Sequence, residues 1–103
     1  MAGLVWSKNS RNDLKGIHSF ISKDSKYYAN SFVEKVNQSV KKLKNFPKIG
    51  REVPEYQDAK IREIIFHNYR IIYQITEQDI NILTVFHTSR DLSRFKLNDW
   101  EVL

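Results

Sequence analysis

Residues 61–87 read IREIIFHNYRIIYQITEQDINILTVFH, and this stretch decides the fold. Three runs in it are rich in Ile, Tyr, Phe and Val, the residue types that are enriched in β-strands. The runs and the segments that separate them are, in order, 61–66, His67-Asn68, 69–75, 76–79 and 80–87. Short separators between apolar runs are typical of β-hairpins. The stretch therefore predicts three antiparallel strands joined by two tight turns.

The chain before this stretch predicts one short strand and two helices. Leu4-Val5-Trp6 is a brief apolar run, and the polar residues from Ser7 to Ser10 can cap a helix. Apolar residues then recur with helical spacing in two segments, separated by Asp24-Ser25, which can cap the second helix. They are Leu14, Ile17 and Ile21 in the first segment and Ala29, Phe32, Val33, Val36, Val40 and Leu43 in the second. Phe46-Pro47 ends the second helix, because the residue before a proline disfavours helical geometry.

The predicted elements follow one another as β-α-α-β-β-β, an α+β fold. The short connection between the helices favours an antiparallel helical hairpin, packed on a small antiparallel sheet. Residues 47–58 include Gly50 and Pro54 and predict an ordered loop between the two layers. A chain of 103 residues is large enough for one core, so residues 1–103 are expected to form a single domain.

Hairpin geometry also predicts which residues lie opposite each other. The second turn would place Tyr73 opposite Ile82 and Arg70 opposite Val85. Strand side chains alternate between the two faces of a sheet. Arg70 and His87 would then be diagonal neighbours, close enough for both side chains to reach one substrate group.

The two faces of the sheet are expected to differ. In the first hairpin, Ile65 would lie opposite Arg70. The helices are expected to cover the face that carries Ile80, Ile82 and Phe86. The other face would mix charged, amide and apolar side chains, a composition that fits a working surface better than a core.

Composition limits the classes of partner and cofactor. The chain has 17 Lys and Arg against 12 Asp and Glu, a formal charge of +5, which favours an acidic or polyanionic partner. It has no cysteine, its three histidines lack a zinc spacing, and it has no Gly-rich phosphate loop, so no metal or cofactor is expected. Without a signal-peptide pattern or a membrane-spanning apolar run, a cytoplasmic protein with no membrane partner is expected.

Several polar residues could together cleave RNA. Attack of a 2′-hydroxyl on its neighbouring phosphate needs a base, a proton donor and cations, and it needs no metal. His87 and either Glu52 or Glu55 are the candidates for proton transfer, and Arg70 is a candidate for stabilising the phosphate charge. The further candidates for phosphate binding are Arg51, Arg62 and Arg90.

Structural roles remain open for the same residues. Arg62 could pair with Glu52 or Glu63 instead of binding phosphate. Arg70 could equally be held in a salt bridge within the sheet. His67 fits a turn position better than a catalytic one.

Short segments along the chain occur in a familiar order and spacing. They are Asp13-Leu14, residues 17–21, Phe32-Val33, Phe46-Pro47, Gly50-Arg51, Val53-Pro54-Glu55, Arg62-Glu63, Tyr69-Arg70-Ile71-Ile72-Tyr73, and His87 with Arg90-Asp91. In this pattern the chain resembles the RelE/ParE superfamily of toxins from type II toxin–antitoxin modules. The resemblance covers nearly the whole chain.

The resemblance implies a toxin that arrests growth, serves in plasmid stabilization and is held inactive in a hetero-oligomer with a cognate antitoxin. An acidic antitoxin would complement the positive charge. It also implies one of two targets: ParE-like members poison DNA gyrase, whereas RelE-like and YoeB-like members cut mRNA on the ribosome. Residues 50–55 and the long helical hairpin look more ParE-like, so gyrase is the favoured target.

Under the alternative of an mRNA endoribonuclease, the resemblance assigns Arg70 to the sheet arginine of the superfamily. It assigns Arg62 to a basic residue of the preceding strand, and Glu55 and His87 to an acid–base pair. The chain departs from the YoeB-like pattern, since no Tyr follows His87 and the chain continues beyond it. A third alternative is a noncatalytic nucleic-acid-binding domain, which predicts no toxicity on expression.

Overall fold

The computed structural model describes residues 3–89 of the chain. Its elements are β1 (Gly3–Trp6), α1 (Lys8–Ser22), α2 (Lys26–Lys41), a 3-10 helix (Lys42–Lys44), β2 (Arg51–Glu52), β3 (Ile61–Phe66), β4 (Tyr69–Ile75) and β5 (Asp79–His87). The strands form one sheet in the order β1-β5-β4-β3-β2. The α+β class is confirmed, and so is the predicted order of one strand, a helical hairpin and three long strands.

Both helices begin at their predicted caps. The Oγ of Ser7 accepts a hydrogen bond from the backbone N–H of Ser10 (2.9 Å), and the Oγ of Ser25 accepts one from that of Tyr28 (3.1 Å). Each oxygen satisfies an amide that has no partner in the first helical turn. Among residues 3–89, neither helix has the length and apolar character needed to cross a membrane.

The outer strands differ from the antiparallel sheet that the sequence predicts. β1 pairs in parallel with β5 along its whole length. β2 lies inside the segment predicted as a loop, with Arg51 opposite Glu63 and Glu52 opposite Arg62. The sheet is therefore mixed, with one parallel pair and three antiparallel pairs. A strand of two residues is too short to show an alternating pattern, so β2 could not be seen in the sequence.

The helices cover the sheet face that carries Ile80 and Ile82, as predicted. The buried cluster on this face consists of Val36, Val40, Leu43, Ile71, Tyr73, Ile80, Ile82 and Val85. Val85 holds the place expected for Phe86, which belongs to a second cluster on the opposite face. That cluster consists of Val53, Ile61, Ile72, Leu83 and Phe86, with Tyr56 packed against it. The face predicted to be an open working surface is therefore packed as well.

A β-bulge in β5 causes this exchange. Tyr73 lies opposite Ile82, as predicted, but Ile72 lies opposite Thr84. Leu83 is therefore an extra residue in β5 relative to β4. Because strand side chains alternate, one extra residue moves every later side chain of the strand to the other face.

The bulge overturns the predicted neighbourhood of Arg70. Arg70 lies opposite Phe86, so the predicted pairing with Val85 is wrong. His87 lies opposite Tyr69, one position further along, and its side chain is on the helix-covered face. The prediction that Arg70 and His87 are diagonal neighbours on one face is therefore also wrong.

The start of α1 supplies the polar partners of the bulge. Ser7 donates from Oγ to the carbonyl oxygen of Leu83 (2.9 Å). Asp13 accepts at Oδ2 from the hydroxyl of Thr84 (2.6 Å) and from the backbone N–H of Val85 (3.1 Å). A bulge interrupts the hydrogen bonds between strands, so partners outside the sheet stabilise it.

We expect Asp13→Ala to lower the free energy of unfolding by about 1–3 kcal/mol, because it leaves the polar groups of Thr84 and Val85 without their acceptor. Urea denaturation followed by circular dichroism measures the loss. Asp24→Ala removes a carboxylate from the exposed turn between the helices and is the matched control. Equal stability of the two variants would contradict a role for Asp13 in holding the bulge.

Candidate functional site

Glu63 is the centre of an ion-pair network on the sheet face opposite the helices. Its side chain is fully buried. Arg70 donates from Nε to Oε1 of Glu63 (2.5 Å), and Arg51 donates from Nε to Oε2 (2.6 Å). A buried carboxylate is costly unless it is paired and hydrogen-bonded, and here each oxygen has a cationic donor.

Arg70 is held on all sides within the chain. It lies opposite Ile65, as predicted. Its Nη1 and Nη2 donate to Oε2 and Oε1 of Glu55, both at 3.0 Å, in the two-pronged geometry that suits a guanidinium and a carboxylate. Its guanidinium carbon is 5.4 Å from the ring centre of Phe86, a cation–π contact. The salt-bridge alternative for Arg70 is therefore confirmed.

The charges of this network reinforce one another. The hydrogen bonds from Arg70 hold the pKa of Glu55 below its usual value of 4.5. The carboxylate of Glu55 in turn raises the pKa of Arg70, and this outweighs the opposite effect of burial. Both side chains are therefore charged at neutral pH, and Glu55 occupies the fork of Arg70 that a phosphate would need.

Arg62 holds the loop before β3. Its Nε donates to the carbonyl oxygen of Ala59 (2.9 Å), and its Nη1 donates to those of Gly50 (2.9 Å) and Lys48 (3.5 Å). The carboxylate of Glu52 is 4.0 Å from Nη2, so the predicted ion pair is present but long. Backbone carbonyl oxygens are therefore the main partners of this guanidinium among residues 3–89.

Tyr73 fixes the other side of the same loop. Its hydroxyl donates to the carbonyl oxygen of Pro47 (2.7 Å) and accepts from the backbone N–H of Gly50 (3.0 Å). Burial raises the pKa of this phenol. A Cβ on Gly50 would lie 2.5 Å from the carbonyl oxygen of Glu63 and 2.6 Å from the hydroxyl of Tyr73. Only glycine fits at this position.

His87 belongs to a different region, a groove between α1 and the end of the sheet. The groove has a volume of about 540 Å³, and its lining includes Asp13, Phe20, Tyr69 and His87. The Nδ1 of His87 accepts from the backbone N–H of Ser89 (3.1 Å), which leaves the proton of the neutral ring on Nε2. The ring of Tyr69 meets that of His87 edge to face, with 5.4 Å between centres.

The residues predicted for RNA cleavage are thus divided between two faces. Glu55 and Arg70 lie on one face, and His87 lies on the other. Arg51 pairs with Glu63 in the network, whereas Arg90 lies outside the described residues. Over residues 3–89, His, Asp and Glu side chains form no group of three that could hold a metal ion.

The sequence matches the model of a known protein family. The model describes the ParE toxin of type II toxin–antitoxin system, parDE, and it matches residues 4–92. The chain belongs to the ParE toxin family. It is therefore a toxin of a type II toxin–antitoxin system, the class that a cognate antitoxin neutralises.

A solved structure has the same fold as this ParE-family toxin. It is described as the chromosomal ParDE TA system from P. aeruginosa. The two chains are 19% identical with a TM-score of 0.71, and the match covers 84% of this chain and 96% of the other. No curated protein sequence matches the toxin significantly.

Three polar residues that organise the toxin were not predicted as site residues. They are Asp13, Glu63 and the hydroxyl of Tyr73. The sequence does contain an indication for Glu63, because it is an acidic residue inside an apolar strand. Arg62 directly precedes it in β3, and Arg70 follows it by seven residues in β4. For Asp13 and Tyr73 the partners are distant in the sequence, so no local pattern marks them.

We expect Gly50→Ala to lower the free energy of unfolding by about 1–3 kcal/mol, because the added methyl group overlaps Glu63 and Tyr73. Gly16→Ala is the matched control. A Cβ there meets nothing within 4 Å, and alanine in a helix is more stable than glycine by about 0.5–1 kcal/mol. Urea denaturation should show a lower free energy of unfolding for Gly50→Ala and a higher one for Gly16→Ala than for the wild type. Shifts of the same sign would show that the loop gives way around Gly50.

Arg70→Met should lower the free energy of unfolding by about 3–5 kcal/mol, because it leaves a fully buried carboxylate without one of its two cations. Arg51→Met removes the other cation that pairs with Glu63. The Arg51 side chain is 63% exposed, so this loss should lower the free energy of unfolding by about 1 kcal/mol or less. Urea denaturation compares the two. A smaller loss for Arg70→Met than for Arg51→Met would contradict the central place of Arg70.

The pair of Glu55 and Arg70 should make stability depend on acid pH. Because the folded pKa of Glu55 is lowered, its contribution is present above the unfolded pKa of 4.5 and is lost as the pH falls through the folded pKa. The difference in free energy of unfolding between the wild type and Glu55→Gln should be largest at neutral pH and shrink in acid. In an Arg70→Met background the same difference should vary less with pH, because the largest cause of the lowered pKa of Glu55 is gone. A difference that grows on acidification would contradict the ion pair.

Proposed function

We propose that this toxin arrests bacterial growth by acting on DNA gyrase and that a cognate antitoxin neutralises it by forming a hetero-oligomer with it. Membership of the ParE family supports the toxin and its antitoxin partner. The solved structure that shares the fold is described as part of a ParDE system. The charge of +5 favours an antitoxin whose contacting segment is acidic.

One observation carries the choice of gyrase over RNA: the residues that RNA cleavage needs do not converge. Proton transfer requires an acid and a base within hydrogen-bond reach of one phosphate. Glu55 and His87 lie on opposite faces of the sheet, and the fork of Arg70 is already bound by Glu55. A toxin that acts by binding its target does not need these groups to meet.

The ribosome-dependent mRNA endoribonuclease remains the alternative. In its favour, His87 is exposed beside a groove large enough for a nucleotide, with Nε2 as its donor when the ring is neutral. This function would require a second catalytic group other than Glu55. A noncatalytic nucleic-acid-binding domain is the remaining alternative, supported by the positive charge alone.

Inducible expression in a bacterial host tests the proposal. DNA synthesis and protein synthesis are followed by separate pulse labels, with co-expression of the cognate antitoxin as the control. We expect DNA synthesis to stop first, cells to filament, and the antitoxin to restore growth. Protein synthesis stopping first would favour mRNA cleavage, and unimpaired growth would rule out both kinds of toxin.

His87→Gln separates the two targets a second time. We expect this variant to arrest growth as strongly as the wild type, because gyrase inhibition does not use the imidazole for proton transfer. If the toxin cleaves mRNA through His87, the variant should instead cut RNA about a hundred-fold more slowly. Primer extension on cellular mRNA measures cleavage, and growth curves measure toxicity in the same cultures.

A further inference from the structure

Positive charge is concentrated at the end of α2 and in the turn that follows it. Residues 35–51 contain six basic residues and no acidic one. Lys41, Lys42, Lys44 and Lys48 are all exposed, and none of them forms an ion pair with any residue in the range 3–89. We call these four lysines, together with the turn at residues 46–49, the basic corner.

Lysines at the end of a helix also have a structural explanation. They compensate the partial negative charge of the last carbonyl groups. This accounts for Lys41, Lys42 and Lys44, but it does not account for Lys48, which lies beyond the helix. Nor does it account for the apolar residues between them.

Two large apolar side chains project from the middle of the basic corner. Phe46 is 62% exposed and Ile49 is 60% exposed. They belong to one tight turn, in which the backbone N–H of Ile49 donates to the carbonyl oxygen of Phe46 (3.1 Å). With Pro47 and Lys48 they line a hollow of about 370 Å³. Neighbouring apolar side chains within a charged rim are typical of a contact surface.

Hydrogen bonds from two side chains of the sheet hold this turn in place. The hydroxyl of Tyr73 binds both Pro47 and Gly50, and Arg62 binds the carbonyl oxygens of Lys48 and Gly50. A surface that is rigid before binding loses less conformational entropy when a partner binds. The chain therefore uses a buried tyrosine and a semi-buried arginine to present an exposed apolar turn.

We propose that the basic corner binds duplex DNA, with its lysines on phosphates and the Phe46–Ile49 turn in the minor groove. Proteins that bind the minor groove combine cationic side chains with apolar wedges such as Phe, Ile and Pro, which is the combination found here. The choice of DNA rests on the proposed function, since gyrase holds duplex DNA. A membrane fits less well, because even a whole myristoyl chain gives only marginal membrane binding and two side chains bury less apolar surface.

Fluorescence anisotropy with a labelled duplex of about 20 base pairs tests the lysines, over salt from about 50 to about 200 mM. The variant K42Q/K44Q/K48Q should bind more weakly, and its affinity should depend less on salt, by a slope of about 0.9 for each lost phosphate contact. K8Q/K15Q/K23Q removes the same charge from exposed positions on and beside α1 and is the control. Equal losses in the two variants would overturn the proposal, because a general positive field would then explain binding.

The apolar turn has a test of its own. Phe46→Ser and Ile49→Ser should each weaken DNA binding several-fold and leave the salt slope unchanged, because they remove no charge. Tyr27→Ser, at a side chain that is 75% exposed at the start of α2, should leave binding unchanged. If both turn variants bound DNA with wild-type affinity, the proposed insertion of the turn into the minor groove would be wrong. Stronger binding of the wild type to anionic vesicles, or equal competition by poly-glutamate, would assign the corner to another partner.

A supercoiling assay with purified gyrase separates this inference from the proposed function. If both hold, K42Q/K44Q/K48Q should inhibit gyrase more weakly than K8Q/K15Q/K23Q. Inhibition by the wild type without DNA binding at the corner would overturn the inference alone. DNA binding at the corner without inhibition would overturn the proposed target and leave the DNA-binding surface established.

Discussion

One extra residue in β5 determines what each face of the sheet can do. Leu83 has no partner in the pairing of β4 with β5, so Val85 turns toward the helices and Phe86 turns toward Arg70. Sheet hydrogen bonds alone would not favour this arrangement. Ser7 and Asp13 stabilise it from α1, which joins the helical layer to the register of the last strand.

The packing of the sheet face opposite the helices follows from that register. Phe86 completes an apolar cluster beside Arg70, and the resulting burial makes paired charge necessary. Glu63 and Glu55 supply it, the first from the sheet and the second from the loop after β2. Arg70, which was predicted to stabilise phosphate charge, thus has a structural role in this toxin.

Local patterns predicted most of the fold. Helical periodicity, the caps at Ser7 and Ser25 and the turn at His67, whose φ is 54°, all act over a few residues, and the sequence shows them directly. The bulge depends on contacts between residues 71 to 76 positions apart, which no local pattern contains. The predicted neighbourhood of Arg70 and His87 was wrong for the same reason, because the face on which His87 lies depends on the bulge.

The parallel pairing of β1 with β5 has a consequence for the order of folding. β1 cannot enter the sheet until β5 exists, so the N-terminal strand must wait for almost the whole described chain to be made. Contacts of such long sequence separation slow folding, since a large loop must close before they form. During synthesis, the five-stranded sheet of residues 3–89 can therefore be completed only after β5 has left the ribosomal tunnel.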